Sequence, residues 1–103
     1  MELGKFNLSG KTALVTGASG LLGYEHCSAL IENGASIVLT DINSKNLSST
    51  ENALREDFED ANIIVHEMDV TKKEQILLVN EFLSKEKINL DILVNNAALD
   101  PKV

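Results

Sequence analysis

Positive charge, cysteine and long apolar runs are all scarce in this chain of 103 residues, and each shortage excludes something. Nine Lys and Arg stand against 16 Asp and Glu, for a formal net charge of -7. Nucleic acid and anionic membrane surfaces need clustered cations, so neither is expected as a partner. The one cysteine, Cys27, has no disulfide partner within the chain, which suits a reducing cytoplasmic setting. No apolar stretch approaches the roughly 18 residues of a spanning helix, so no membrane is expected either. The opening Met-Glu-Leu-Gly-Lys lacks the apolar core of a signal peptide. His26 and His66 have no Cys or His at metal-ligand spacing, so no metal is expected. Repeats, low-complexity tracts and linkers are absent as well.

What is present is ordinary globular material, 44% hydrophobic and 24% charged, enough for one small domain. Its pattern alternates short β-branched runs with helical periodicity. Strands are predicted over residues 12–16, 36–40, 62–67 and 90–95. Helices are predicted over residues 20–33, with Gly34 as the stop, and 44–58. A third helix is predicted to open at the capping-box sequence Thr71-Lys72-Lys73-Glu74. The inner faces predicted are Gly23, Cys27, Leu30 and Ile31 on the first helix, and Leu47, Leu54 and Phe58 on the second. Ile76, Val79, Phe82 and Leu83 should face inward on the third. Such alternation implies an α/β, Rossmann-like, doubly wound parallel sheet with right-handed crossovers and strand order 3-2-1-4. The fourth strand carries apolar side chains to both faces, the mark of an interior parallel strand. The chain is therefore expected to be the first half of a larger domain, with residues 1–103 forming the N-terminal part of one nucleotide-binding unit.

The segment Thr16-Gly17-Ala18-Ser19-Gly20-Leu21-Leu22-Gly23 sits where the first strand must turn sharply into the first helix. Glycine permits the turn and lets a ligand approach the main chain, and the helix N-terminus then favours an anion. Asp41 ends the second strand eighteen positions after Gly23. That is near the offset of about 20 residues at which an acidic side chain holds the ribose diol of a dinucleotide. The glycine turn, Asp41, Asp69 and Asn95 all fall at the carboxyl ends of strands, which points to one site. Blander roles exist for each. Asp41 could cap the next helix, Asp69 could serve a turn, Ser19 could bond within its turn rather than reach a phosphate, and Asn95 could tie strand ends together. Cys27 reads as core, and the acidic run around Glu56, Asp57, Glu59 and Asp60 as solvated surface.

These residues resemble the short-chain dehydrogenase/reductase family over nearly the whole chain. The matching pieces are the segment from Gly10 to Gly17, Asp41, the pair Asp69-Val70, and Asn95-Asn96-Ala97-Ala98. The resemblance implies that Gly17, Ser19, Gly20, Leu22 and Gly23 form the pyrophosphate turn and that Asp41 binds the adenosine ribose. It places Asp69 and Val70 at the adenine, with Asn95, Ala97 and Ala98 along the path to nicotinamide. The implied cofactor is NAD rather than NADP, since Asp41 would repel a 2′-phosphate. The implied reaction is hydride transfer with an alcohol or ketone, in a homo-oligomer.

Two features depart from the commonest family pattern. Leu21 stands at the middle glycine, with Gly20 one position early, and this Gly-x-x-Gly-x-x-Gly spacing resembles the extended branch of sugar-nucleotide epimerases and dehydratases. Ala98 replaces a glycine. The tail from Asn95 to Val103 resembles oxidoreductases of bacterial flagellin-glycan sugar biosynthesis. The family's catalytic Tyr-x-x-x-Lys has no counterpart, because the only tyrosine is Tyr24 and Ser28 lies four residues on. No catalytic residue is therefore assigned, and turnover by these residues alone is not expected. The alternatives left open are a nucleotide-binding module without chemistry and an enzyme of the extended, sugar-nucleotide branch.

Overall fold

The computed structural model describes residues 7–96. Its elements run β1 (Thr12–Thr16), α1 (Leu21–Glu32), β2 (Ser36–Asp41), α2 (Ser44–Asp57), β3 (Ile63–Glu67), α3 (Lys73–Lys85) and β4 (Ile92–Asn95). The four strands form one parallel sheet in the order β3-β2-β1-β4. Val15 of β1 lies level with Leu39 of β2 and Val94 of β4, so the expected topology and its switch between β1 and β4 are both present.

The sheet is covered on both faces, and the period of two in its strands decides which helix each residue meets. Ala13, Val15, Ile37, Leu39 and Ile63 pack with Cys27 of α1 and with Leu47 and Leu54 of α2. Leu14, Val38 and Met68 face the other way and pack with Val79 and Leu83 of α3. Burying a side chain such as Leu54 contributes about 1.5–3 kcal/mol, which is why these stripes hold the crossovers against the sheet.

Several boundaries differ from the sequence-based expectation, each for a local reason. Helix α1 stops at Glu32, because Asn33 is its C-cap and Gly34 turns the chain at φ +99°. Helix α2 ends one residue early, with Phe58 as its C-cap. Asn62 precedes β3 yet still accepts from the Ile37 N–H at 2.9 Å. Leu90 and Asp91 lie before β4, where the Asp91 carboxylate accepts the otherwise free Thr12 N–H at 2.9 Å. The Thr71–Glu74 capping box does not form. Helix α3 begins at Lys73 with Lys72 as N-cap and no side-chain cap, so Thr71 falls one residue before the cap position. Its hydroxyl donates to the Asp69 carboxylate at 2.6 Å, a charge-assisted bond that fixes the side chain there. Ile76 is 42% exposed, so the inner stripe of α3 is Val79 and Leu83 with half-buried Phe82.

Cys27 is fully buried, and burial pushes its thiol up from 9.0 to about 12. At pH 8 the thiolate fraction in the folded chain is then roughly 10⁻⁴, and thiolate is the reactive form. The native chain is expected to resist a thiol reagent at pH 8 and to react fully once unfolded. Because the folded value is the raised one, this group's stabilising contribution is complete below the unfolded pKa and is lost as pH climbs toward 12. Rapid labelling of native protein at pH 8 would show that α1 is not docked as described.

Candidate functional site

The chain leaving β1 is pinned over the ends of its two neighbouring strands. The Ala18 N–H donates to the Thr40 carbonyl at 3.0 Å, and the Asn96 side-chain amide donates to the Gly17 carbonyl at 2.9 Å. Gly17 takes φ +60° and Gly20, the N-cap of α1, takes φ +92° with ψ 175°. The latter conformation is essentially reserved for glycine. One turn further on, a Cβ on Gly23 would stand 2.3 Å from the Ala18 carbonyl oxygen, so the helix starts in direct contact with the turn.

This compression leaves the first turn of α1 open as an anion site. It contains no acidic residue, and Gly20 contributes no side-chain cap. Free N–H groups and the positive helix end therefore meet any ligand lying over the glycines. The Ser19 hydroxyl oxygen is buried and has no hydrogen-bond partner among the described residues. Leu22, placed at the site by sequence, is 62% exposed on that same first turn beside Leu21 at 77%.

Asp41 ends β2 directly beneath this turn. One carboxylate oxygen accepts the Ser19 N–H at 2.9 Å, and the other accepts the Asn43 N–H at 3.0 Å. It is not the cap of α2, because Asn43 fills that role by accepting from the Asn46 N–H at 3.0 Å. Across the switch point, Asn95 pairs in register with Thr16, and its Oδ1 lies 3.0 Å from the Thr16 hydroxyl. Thr16 Oγ1 also accepts the Asn96 N–H at 3.2 Å. Asn95 thus ties the ends of β1 and β4, while Asn96 reaches the glycine turn itself. From sequence Asn96 was read only as part of the segment from Asn95 to Ala98, with no role of its own.

The pair Asp69-Val70 is divided by the structure. Asp69 follows Met68, whose N–H extends the β2–β3 ladder by donating to the Asp41 carbonyl at 2.9 Å. Its Oδ1 accepts both the Thr71 hydroxyl at 2.6 Å and the Thr71 N–H at 2.9 Å. Those two bonds, with Lys72 nearby, hold the carboxyl below its ordinary range. Asp69 lines a cleft of about 430 Å³ with Ile42, His66, Glu67, Gln75 and Leu78. Val70 instead lines a separate apolar cleft of about 480 Å³ under β1 and β4, together with Leu14, Met68, Val79, Leu93 and Asn95. Ala97 and Ala98 lie outside the described residues, as does most of the tail from 95 to 103. No group of three metal-ligating side chains occurs among the described residues. Nor is any described helix long and apolar enough to cross a membrane.

The profile of the short chain dehydrogenase family matches residues 11–103. The chain belongs to that family. It is 38% identical over 98 residues to a short chain dehydrogenase/reductase of Colletotrichum higginsianum, covering 95% of this chain and 36% of that protein. The solved 2-keto-3-deoxy-D-gluconate dehydrogenase of Streptococcus agalactiae is similar to it with a TM-score of 0.80 and 33% identity, over 91% of this chain and 35% of that one. An NADPH-bound short chain oxidoreductase of Pseudomonas aeruginosa PAO1 gives a TM-score of 0.84 at 31% identity, over 91% and 37%. The chain therefore spans about a third of the length of these family members.

The glycine turn yields a direct test. Gly23→Ala forces a Cβ into the Ala18 backbone, and such overpacking costs about 1–3 kcal/mol. Gly20→Ala has open space around it but sits at φ +92°, a strain of about 1–3 kcal/mol. Both variants are expected to lower the urea midpoint. A Gly23→Ala variant as stable as the parent would show that helix and turn do not touch.

Proposed function

We propose that this chain is the cofactor-binding part of an NAD-dependent oxidoreductase acting between an alcohol and a carbonyl carbon. Hydride transfer is the chemistry that the nicotinamide supplies when bound. Gly17, Gly20 and Gly23 would cradle the pyrophosphate at the open end of α1, Asp41 the adenosine ribose, and Asp69 the base. Asn95, with Ala97 and Ala98 beyond it, would flank the nicotinamide side. The observation that carries this reading is the carboxylate of Asp41 lying against the backbone of the glycine turn at Ser19. Phosphate-binding N–H groups and a diol-binding acceptor are thereby held as one unit.

Tyr24, the one tyrosine of the sequence, is not placed to serve as the proton donor. The hydroxyl of Tyr24 is bonded to Asp57, and that bond raises its pKa, the wrong direction for acid–base work near neutral pH. Family membership supports an oxidoreductase over a nucleotide-binding module without chemistry. The spacing of Gly17, Gly20 and Gly23, together with the tail's resemblance to flagellin-glycan enzymes, supports a sugar or sugar-nucleotide substrate as the second reading. A cytoplasmic site of action is supported by the single, buried, unpaired Cys27.

Charge at Asp41 should set cofactor preference. It repels a 2′-phosphate, and the neighbours Ile42 and Asn43 offer no cation to hold one. Calorimetric titration is expected to show NAD at least about tenfold tighter than NADP, with Asp41→Ala erasing the difference. Equal or tighter NADP binding by the parent chain would overturn the assignment.

A homo-oligomer is supported by exposed apolar residues on α3 and at the β4 edge, with Leu77 at 54%, Leu78 at 59% and Leu93 at 67% exposure. Such surfaces recruit partners. Sedimentation of the 11.2 kDa chain should show dimers or larger species, and a compact monomer at high concentration would contradict this.

A further inference from the structure

Asn33 and Gly34 form the one Asn-Gly pair of the sequence, and the fold places that pair at the end of α1. Asn-Gly is the dipeptide most open to spontaneous deamidation, because glycine has no side chain to hinder attack by its own nitrogen. In that reaction the Gly34 nitrogen bonds to Asn33 Cγ while the Cγ–Nδ2 bond breaks, and ammonia leaves with the displaced proton. Water then opens the five-membered imide at either carbonyl. The product is aspartate, or isoaspartate with a main chain longer by one carbon.

The fold itself imposes the pair. Gly34 turns the chain at φ +99°, and a Cβ there would stand 2.9 Å from Ser9 Oγ and 3.1 Å from Ser9 N. Asn33 is the C-cap of α1, and its Nδ2 donates to the Ala29 carbonyl at 2.7 Å. The same bonds hold the reaction off. The Gly34 N–H donates to the Ile31 carbonyl at 2.9 Å, which keeps the attacking nitrogen turned toward the helix. Asn33 is only 8% exposed, so the water that must open the imide is kept out. Its carbonyl accepts the Leu8 N–H at 2.7 Å, tying the cap to the segment before β1. One atom works against this closure. Asn33 Oδ1 is buried with no hydrogen-bond partner among the described residues, and opening the cap would return it to water.

We propose that Asn33-Gly34 is a latent modification site, silent in the closed cap and deamidated when the end of α1 opens. The conversion is one-way. Aspartate would put a negative charge at a helix C-terminus, where it is disfavoured, and would lose the donor to the Ala29 carbonyl. Isoaspartate would lengthen the chain inside the turn whose Gly34 and Ala35 N–H groups reach back to the Ile31 and Leu30 carbonyls. Either product leaves the cap less well closed than before.

The test is incubation of the full chain at mildly alkaline pH, folded and in unfolding urea, with conversion at each asparagine read by peptide mass spectrometry. In the unfolded chain Asn33 is expected to react well ahead of every other asparagine. The folded chain should react about tenfold more slowly or less, the ratio giving the population of the open cap. Ile31→Ala removes a side chain that packs on the core beside the cap, so it should speed the folded reaction and leave the unfolded rate unchanged. The converted chain, once recovered, should show a lower urea midpoint than the parent. Equal folded and unfolded rates, or an Ile31→Ala chain that reacts no faster, overturn the gating by the cap. No preference for Asn33 in the unfolded chain overturns the site itself. A converted chain as stable as the parent overturns the one-way consequence.

Discussion

The contact on which the site depends is the approach of the first turn of α1 to the Ala18 carbonyl, close enough that Gly23 has no room for a Cβ. Everything nearby is measured from it. Ala18 is itself locked to β2 through the Thr40 carbonyl, and Gly17 to the β4 side through Asn96. Helix, turn and three strand ends thus share one fixed geometry.

Much of this was legible in sequence because the signals were periodic or conformational. Alternating β-branched runs identified the strands, and the apolar stripes of α1 and α2 identified the faces that now meet the sheet at Cys27, Leu47 and Leu54. Topology followed from the handedness of crossovers rather than from any single residue. The glycines at 17, 20 and 23 announced a turn because two of them adopt positive φ and the third cannot carry a side chain.

What sequence did not show was where the third helix would start and which group would hold the Thr71 side chain. Thr71 and Glu74 have capping-box spacing, yet a carboxylate two residues upstream captured the Thr71 hydroxyl and N–H together. Ile76 fits the helical period but lies in the first turn of α3, 42% exposed and outside the cluster in which Val79 and Leu83 pack with Leu14 and Val38. The separate destinations of Asp69 and Val70 were equally hidden. Val70 lies in the turn that the Lys72 N–H closes on the Asp69 carbonyl, and the two residues line different clefts.

The two backbone bonds to Asp41 have a consequence for evolvability. A carboxylate with no bonds to its own backbone could be exchanged freely. Here the group closes the glycine turn at Ser19 and shapes the entry to α2 at Asn43. A replacement with no side-chain acceptor would leave both N–H groups without their partner at once, so loss of the carboxylate needs compensating changes in the loop. The residue is constrained by the fold before any ligand arrives, and selection on specificity acts on a position that folding already holds in place.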